Sequence, residues 1–486
     1  MRSLRSWLIL AALTTAASGC GTGTTVGAGV ELHCDAACSS LWSLDLGGVE
    51  ASTVNVVGSD GAGNVIFEAN LEAISSDAGA PLTYENQAVL AKLDPAGQLV
   101  WKKVLPAAAG TPLMSVGAGG DIVLFGTIAG GEVLDLGGGS LSPAGPDLET
   151  MYVAAFDASG NHLMSRALHE VTGDPSVNEN YGASAQAMAL DPSGAIVVAG
   201  DYWGPLDLGG GALGYSPDVY VTSVFVMKLD PSGALLWSEH LGDQPHPSPT
   251  VDDTGMFVSG VTVDPAGSIL LGIELYGTVD FGAQTIASAG SSDIVVAKLD
   301  PSGGLLFAEG FGGPGADVPS GIAAGPDGAI FFTGLTVGTV DFGSVALPTP
   351  DGLGGSFVTA LEPDGQVRWS VLGPSLPFGA GAGIAVDGAG GVEASFYQDE
   401  QLTALALTRL DPATGAQSHA RTIALAATSL QGQLQAQSFA VDPLGNVVLG
   451  GGFHGVVDFG TGPLSMNEPY VISGVGTAAF LVKVAP

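Results

Sequence analysis

The chain has 486 residues, of which 76 are glycine and 46% are hydrophobic, but only 12% are charged. Its 48 acidic and 12 basic residues give a net charge of −36. Such a surface repels nucleic-acid phosphates and anionic lipid headgroups, so binding to either is not expected. After residue 20, no apolar run reaches the roughly 20 residues that a membrane helix needs. Many glycines and β-branched residues with few charges are typical of an all-β protein with many turns.

The first twenty residues have the layout of a secretory signal. Arg2 and Arg5 precede an apolar run at 7–13, and small residues lead to Cys20, as in a signal with a basic start, an apolar centre and a small-residue cleavage site. The sequence Ala-Ser-Gly-Cys at 17–20 resembles the bacterial lipoprotein signal. That resemblance implies removal of residues 1–19 and attachment of lipid to the Cys20 thiol. The alternative is ordinary secretion, with Cys20 lost or free.

Residues 20–39 have the composition of a flexible tether, rich in glycine and threonine. Cys34 and Cys38 are the only cysteines besides Cys20, and in an oxidising compartment we expect them to form a small disulfide loop. Together with His33 they would offer a metal ion three ligands in a mobile segment, so no metal site is predicted.

The remainder of the chain repeats two short units. The first is seen in LDPAGQLVW (93–101), LDPSGALLW (229–237) and LDPSGGLLF (299–307). The second alternates with it, as in GAGNVIFEAN (61–70), LDPSGAIVVAG (190–200) and VDPLGNVVLGG (441–451). In Asp-Pro-Ser-Gly the aspartate begins a type I turn, proline sets φ at the second position, and glycine accepts the left-handed conformation at the fourth. Each copy therefore predicts a β-hairpin.

The spacing of the units predicts the fold. From Gly63 to Gly445 the second unit advances in six steps, (445 − 63)/6, or about 64 residues per repeat. Two hairpins per repeat give four strands, which is the blade of a β-propeller. The C-terminal AAFLVKVAP (478–486) contains the strand that precedes a turn, and SLWSLDLGG (40–48) contains the strand that follows one. We predict an all-β, seven-bladed β-propeller of four-stranded blades over residues 40–486, with its ring closed by pairing of the N- and C-terminal strands.

These units resemble the bacterial seven-bladed β-propeller repeat family, which is found in many secreted and lipid-anchored proteins. The resemblance covers nearly the whole chain after the signal. It implies the propeller fold, and it implies no particular activity, because propellers support many functions.

The triplet Asp-(Phe/Leu)-Gly recurs after the second strand of five repeats, beginning at Asp135, Asp207, Asp280, Asp341 and Asp458. In a protein kinase such a triplet holds magnesium, but a kinase also needs a glycine-rich loop over the phosphates, an ion-paired lysine and a catalytic-loop aspartate, each once. None of these is present in that arrangement. We interpret the triplet as a turn with a buried phenylalanine or leucine, which recurs because the blade recurs.

A candidate ligand face combines aromatic residues with these carboxylates. We expect the following residues between the second and third strands, opposite the Asp-Pro-x-Gly hairpins: Tyr202, Trp203, Tyr276, His454, Asp207, Asp280, Asp341 and Asp458. Aromatic rings with carboxylates suit a sugar or a cation, and ligand sites are typically concave with a few convergent polar groups. The alternative is that these side chains pack between blades and cap turns.

Basic residues recur at one position, immediately before the last apolar residue of the third strand: Lys92, Lys228, Lys298, Arg409 and Lys483. Because the chain has so few basic residues, this placement predicts a repeated ion pair. The candidate partner is the aspartate of the preceding Asp-(Phe/Leu)-Gly triplet.

No Ser-His-Asp, Cys-His or zinc-site spacing occurs, so the sequence assigns no catalytic residue, metal ligand or cofactor. The expected function is a non-enzymatic surface module that binds a protein or a polysaccharide. It would act as a monomer in the cell envelope, at the outer membrane or cell surface, and contact the membrane only through its lipid. Two alternatives stay open: a hydrolase or lyase with carboxylates on the loop face, and a structural propeller stabilised by calcium bound to loop aspartates.

Overall fold

The protein is an all-β structure. A computed structural model describes residues 40–47, 52–75, 83–143, 145, 149–168, 182–214, 221–242, 254–282, 284–343, 346–347, 354–373, 381–397, 402–424, 433–465 and 477–485. Within these residues the one helical segment is a 3₁₀ turn at Ala107–Ala109, and no helix is long and apolar enough to cross a membrane. Cys20, Cys34 and Cys38 lie outside the described residues, so the lipid attachment and the disulfide stay predictions.

The strands form four-stranded antiparallel units, which we number as sheets 1 to 7 along the chain. The first described strand, β1, is Ser40–Gly47 and belongs to sheet 7. Sheet 1 contains β2 (Thr53–Ser59), β3 (Val65–Ser75), β4 (Thr83–Leu93) and β5 (Leu99–Val104). Sheet 2 contains β6 (Leu113–Val116), β7 (Ile122–Ile128), β10 (Thr150–Phe156) and β11 (His162–Ala167), with a small hairpin of β8 (Leu134–Asp135) and β9 (Ser140–Leu141). Sheet 3 contains β12 (Gly182–Leu190), β13 (Ile196–Trp203), β14 (Val221–Leu229) and β15 (Leu235–Leu241).

Sheets 4 to 7 follow the same plan. Sheet 4 contains β16 (Thr254–Val263), β17 (Ile269–Tyr276), β20 (Asp293–Leu299) and β21 (Leu305–Phe311), with a hairpin of β18 (Thr278–Phe281) and β19 (Gln284–Ala287). Sheet 5 contains β22 (Asp317–Ala324), β23 (Ile330–Thr336), β26 (Gly355–Leu361) and β27 (Val367–Leu372), with a hairpin of β24 (Val340–Asp341) and β25 (Ala346–Leu347). Sheet 6 contains β28 (Gly381–Val386), β29 (Val392–Tyr397), β30 (Ala404–Leu410) and β31 (Gln417–Ala424). Sheet 7 contains β32 (Gln433–Val441), β33 (Val447–His454), β36 (Ala478–Val484) and β1, with a hairpin of β34 (Val456–Asp458) and β35 (Pro463–Ser465).

The predicted turns form as the residue types dictate. In the turn that begins at Asp230, one carboxylate oxygen accepts the amides of Ser232 at 2.8 Å and Ala234 at 3.0 Å. Gly233 takes φ of 78°, a conformation that glycine adopts without the steric cost other residues incur. The other Asp-Pro-x-Gly copies repeat this pattern of carboxylate caps.

Neighbouring sheets contact each other through their first strands. The strands β2, β6, β12, β16, β22, β28 and β32 touch in series, and β32 also touches β2. Sheets 3 and 4 are further joined into one eight-stranded sheet by a short parallel pairing of β14 with β16.

The N-terminal strand pairs with the C-terminal one, as the sequence predicts. β1 lies antiparallel to β36, with Leu44 opposite Leu481. Trp42 is 7% exposed and donates from Nε1 to the Pro95 carbonyl of sheet 1 at 3.1 Å. Trp42 is equivalent to Trp101 of sheet 1, because Trp101 donates in the same way to the Ala158 carbonyl of sheet 2 at 3.1 Å.

The core lies between successive sheets and not within a single layer. Third strands such as β10, β20, β26 and β36 are buried along their whole length, as expected for strands covered on both faces. One apolar cluster joins Leu481 of sheet 7 to Val65 of sheet 1. The fourth strands form the outer rim and expose leucines such as Leu163, Leu236 and Leu306.

The repeated basic residue forms an ion pair, but the predicted partner is wrong. Its partner is the first aspartate of the turn between strands one and two of the same sheet. The pairs are Lys92–Asp60 at 2.9 Å, Lys228–Asp191 at 2.8 Å, Lys298–Asp264 at 3.1 Å, Lys483–Asp442 at 2.7 Å, and Arg409–Asp387. The triplet aspartates cannot serve, because they lie at the other end of the strands, in turns that follow the second strand.

The two sheets without the pair lack both of its members. Gly117 stands where sheet 2 would have the turn aspartate, and Ala155 where it would have the lysine. In sheet 5 the corresponding residues are Gly325 and Ala360. Joint presence or absence of the two residues across the repeats therefore identifies the partner.

We expect Lys298→Met to destabilise the protein by about 3 to 5 kcal/mol, because it leaves the buried Asp264 carboxylate without its counter-charge. Urea denaturation of the variant measures this. The double variant Lys298→Met/Asp264→Asn should lose less, since asparagine keeps the acceptor for the turn amides. Lys102→Met, on the exposed face of β5, serves as the control, and a Lys298→Met chain as stable as this control would contradict a structural role for the pair.

Candidate functional site

The sheets have two chemically different ends. The hairpin end carries the Asp-Pro-x-Gly turns that join strands one to two and three to four. The loop end carries the connections from strand two to three and from each sheet to the next.

A cavity of about 730 Å³ lies at the hairpin end, and the sequence did not predict it. It is lined by the turns that follow the first strands of sheets 2 to 6: 117–121, 191–194, 264–265, 325–326 and 387–388. Burial raises the pKa of the Asp191 carboxyl, but the Lys228 ammonium, Ser193 and the turn amides together lower it to about 2. This carboxylate caps a turn and holds an ammonium, so it is not available as a proton acceptor near neutral pH.

At the loop end, Tyr202 is a core residue, and its assignment to the ligand face is wrong. It is fully buried, and its hydroxyl contacts the Gly214 carbonyl and His240 Nδ1. Successive residues of a strand point to opposite faces of the sheet, so Tyr202 and Trp203 cannot share one surface.

Trp203, Tyr276 and His454 occupy equivalent places, each ending the second strand of its sheet. All three are half-buried. The Trp203 ring lies against Gly182 of the first strand. Tyr276 meets the ring of Phe257 edge to face, with 5.8 Å between centroids. Phe257 is 36% exposed, and no sequence pattern indicated it, because it lies inside a first strand.

The triplet carboxylates cap turns. Asp207 Oδ1 accepts the amides of Gly209 and Gly211, and Asp458 Oδ1 accepts those of Gly460 and Gly462. Asp341 accepts the Gly343 amide at 2.8 Å, and Asp280 accepts from the Thr285 hydroxyl. The adjoining apolar residues are buried, as predicted: Leu136, Leu208, Phe281, Phe342 and Phe459.

These carboxylates and the aromatic residues belong to different structural elements. The small hairpins β18–β19, β24–β25 and β34–β35 touch fourth strands, at the outer rim. The aromatic residues lie at the ends of second strands that pair with first strands. The turn-capping alternative therefore accounts for the carboxylates, and Trp203, Tyr276 and His454 end the second strands of three different sheets.

The first strands carry almost no ionisable residues. Among their described residues the one Asp, Glu, Lys, Arg or His is Asp317, and its side chain is fully buried. Paired carboxylates do not face each other from these seven strands.

Several buried acids connect strands or sheets. Burial raises the pKa of Glu68 to about 7, although the Asn55 amide donates to its Oε2 at 2.8 Å and opposes the rise. Burial likewise raises the pKa of Asp201 to about 6, against the effect of the Val258 amide of sheet 4, which donates to its Oδ1 at 2.7 Å. Glu68 thus holds a side-chain amide and Asp201 a backbone amide, and both acids lie away from solvent.

Compared by sequence, the chain matches no family model and no curated protein. Similar solved structures include a protein of unknown function from Dyadobacter fermentans, with 10% identity over 93% of this chain and 100% of that chain and a TM-score of 0.43. Puromycin hydrolase has 15% identity over 83% of this chain and 51% of that chain, with a TM-score of 0.42. Quinohemoprotein alcohol dehydrogenase from Comamonas testosteroni has 13% identity over 92% of this chain and 76% of that chain, with a TM-score of 0.37. At TM-scores below 0.5, these similarities indicate neither a fold nor a function for this chain.

Glu68→Gln should stabilise the protein at about pH 8 by up to about 3 kcal/mol and change little at about pH 4.5. The folded-state pKa of Glu68 is raised to about 7, so the folded protein loses stability as pH rises from the ordinary glutamate pKa through that value. Glutamine removes this loss and keeps an acceptor for Asn55. Urea denaturation at both pH values checks it, with exposed Glu132→Gln as control. An equal effect of Glu68→Gln at both pH values would show that Glu68 does not titrate differently on folding.

Proposed function

We propose that the chain is a seven-bladed β-propeller whose ring is closed by its own termini. The series of contacts from β2 through β32 and back to β2 supports this. So does the place of β1 as the outer strand of sheet 7. In this arrangement the first strands surround a central channel, and the loop end and the hairpin end are its two faces.

We propose that this propeller is a non-enzymatic binding module, with its ligand on the loop end. The observation that carries the proposal is the partly exposed aromatic pair of Phe257 and Tyr276. Trp203 ends β13 of the adjacent sheet, and β13 contacts β16, the strand that carries Phe257. Aromatic side chains present large, rigid apolar faces with a polar edge, which suits the stacking of sugar rings.

The favoured ligand is therefore a polysaccharide, with a protein as the alternative. The triplet carboxylates of this end are engaged in turns, as shown for Asp207 and Asp458. This favours recognition over acid–base chemistry, which needs carboxyl groups within reach of a substrate proton.

We propose further that the module is lipid-anchored through Cys20 in the bacterial cell envelope and acts as a monomer. The signal-like residues 1–19 and the glycine-rich tether support this. A tether of some 20 residues would leave the propeller free to meet ligands away from the membrane surface.

Trp203→Ala and Tyr276→Ala should each weaken glycan binding at least tenfold, because each removes a ring that stacks on the ligand. A glycan array probed with the full-length chain finds the ligand, and titration with that glycan gives the dissociation constants. Leu236→Ala, on an exposed outer strand, is the control that should bind as the wild type does.

Unchanged binding in both aromatic variants would move the site elsewhere and discard this surface. Shortening of the glycan during incubation, lost when a loop carboxylate is replaced, would establish the hydrolase or lyase alternative. Binding to a protein from the same envelope, with no glycan bound, would favour the protein ligand.

Cys20→Ala should release the chain from the membrane fraction, because an acyl-anchored protein loses its apolar attachment when the modified thiol is absent. Fractionation of the producing bacteria, with mass spectrometry of the mature N-terminus, measures this. A wild-type chain that is cleaved without added lipid would establish ordinary secretion instead.

A further inference from the structure

Two buried aspartates lie side by side where sheets 4 and 5 meet at the loop end. Asp293 begins β20 and Asp317 begins β22. A parallel bridge joins Ser292 to Ala316, and the Asp317 amide donates to the Ser292 carbonyl at 2.9 Å. Residues in register on adjacent parallel strands lie on the same face about 5 Å apart, so the two side chains are neighbours.

Each carboxylate has one satisfied and one unsatisfied oxygen. Asp293 Oδ2 accepts the Ala289 amide at 2.7 Å, and Asp317 Oδ2 accepts the Gly313 amide at 2.7 Å. The Oδ1 atom of each is buried without a hydrogen-bond partner. Asp293 is 5% exposed and Asp317 is fully buried, so water does not readily supply the missing bonds.

A hydroxyl group adjoins the pair. Thr336 is the cross-strand partner of Asp317 and is fully buried. The Thr336 Oγ1 atom has no hydrogen-bond partner within bonding distance. It nevertheless lies close to the Asp317 carboxyl. Burial raises the pKa of Asp317, and the nearby Thr336 hydroxyl lowers it in part. Three polar side chains thus present oxygen atoms in one buried place.

The same position is apolar in sheets 4 and 7. Counted from the bulge in each first strand, the pair Asp317–Thr336 corresponds to Met256–Leu275 in sheet 4 and to Leu434–Phe453 in sheet 7. Those four residues are fully buried. Polar groups at a core position cost free energy unless they have a hydrogen-bond partner or a counter-charge. Asp317 and Thr336 replace apolar residues at such a position, so their unsatisfied oxygen atoms need a partner.

No basic side chain balances the two carboxyls. Burial raises the pKa of Asp293 to about 6, with the charge of Asp317 adding to the rise, and no ammonium or guanidinium contributes to the pKa of either group. This contrasts with the lysine-paired aspartates of the hairpin end. Two adjacent buried carboxylates need either a shared proton or a cation between them.

We propose that Asp293 and Asp317 bind a calcium ion that joins sheets 4 and 5, with the Thr336 hydroxyl beside it. Calcium takes six to eight oxygen ligands in flexible geometry, from carboxylates, backbone carbonyls and water. Two carboxylates neutralise a divalent ion. Among the described residues, no group of three His, Cys, Asp or Glu side chains could hold a metal. The proposed site has two such side chains. So small a number of charged ligands suits the weak, millimolar class of calcium sites. The site does not depend on the proposed glycan surface.

The test is thermal unfolding of the full-length chain at about pH 7.5, with chelator, with calcium and with magnesium, each at a few millimolar. Calcium should raise the wild-type Tm by several degrees and magnesium by less. Asp293→Asn and Asp317→Asn should not respond to calcium and should melt higher than the wild type in chelator, because each removes the repulsion. Thr336→Val keeps both charges and should need at least tenfold more calcium for the same shift.

Asp341→Asn, which changes an exposed turn carboxylate, is the matched control and should respond as the wild type does. An equal calcium response in the wild type and in both asparagine variants would place the ion elsewhere and overturn the site. A wild-type Tm that ignores calcium but rises as pH falls from about 8 towards 6 would show that the pair holds a proton. That result would overturn the proposal too.

Discussion

A turn aspartate paired with a basic residue on the third strand holds together five of the seven sheets. Asp442 shows how. Its Oδ1 accepts the amides of Leu444 and Asn446, its Oδ2 contacts Lys483 Nζ at 2.7 Å, and Lys483 donates to the Gly63 carbonyl of sheet 1 at 3.0 Å. Two side chains thus order a turn, join strands and link the last sheet to the first. Because both are almost completely buried, losing one would leave an uncompensated charge in the core.

The same device explains why a chain with so few basic residues places several of them in the interior. Trp42 and Trp101 repeat the principle with neutral groups, since each indole donates to a turn carbonyl of the next sheet. The repeated residues are therefore engaged in structure. Candidate functional residues must be sought where the repeat is broken, as at Phe257, Asp293 and Asp317.

Much of the local structure could be predicted from the sequence. Asp-Pro-x-Gly defines its turn through bonds within five residues, so hairpins such as the one at Asp230 need no tertiary information. The pairing of β1 with β36 could also be predicted, because each end contains half of a known unit. The aspartate partner of the repeated lysine was missed, although the sequence contains evidence for it. In sheet 2 the aspartate and the lysine are both absent, replaced by Gly117 and Ala155.

The candidate ligand face was predicted in part. The equivalence of Trp203, Tyr276 and His454 follows from spacing, and the structure places all three at the ends of second strands. Tyr202 was misplaced because the direction of a side chain depends on the register of its strand, and neighbouring residues alternate between faces. Phe257 and the hairpin-end cavity had no sequence signal, since both arise from contacts between different sheets.

The sequence by itself determined the turns, the strands, the period of the repeat and the pairing of the N-terminal strand with the C-terminal strand. These features depend on residues close in the chain or on a pattern that recurs. Only the tertiary structure decided which charges meet and which are buried. Asp293 and Asp317 are 317 − 293, or 24, residues apart and begin strands of different sheets. They become neighbours through one parallel bridge. Such a contact depends on how two sheets pack, and packing is set by the shapes of many side chains at once rather than by a local motif.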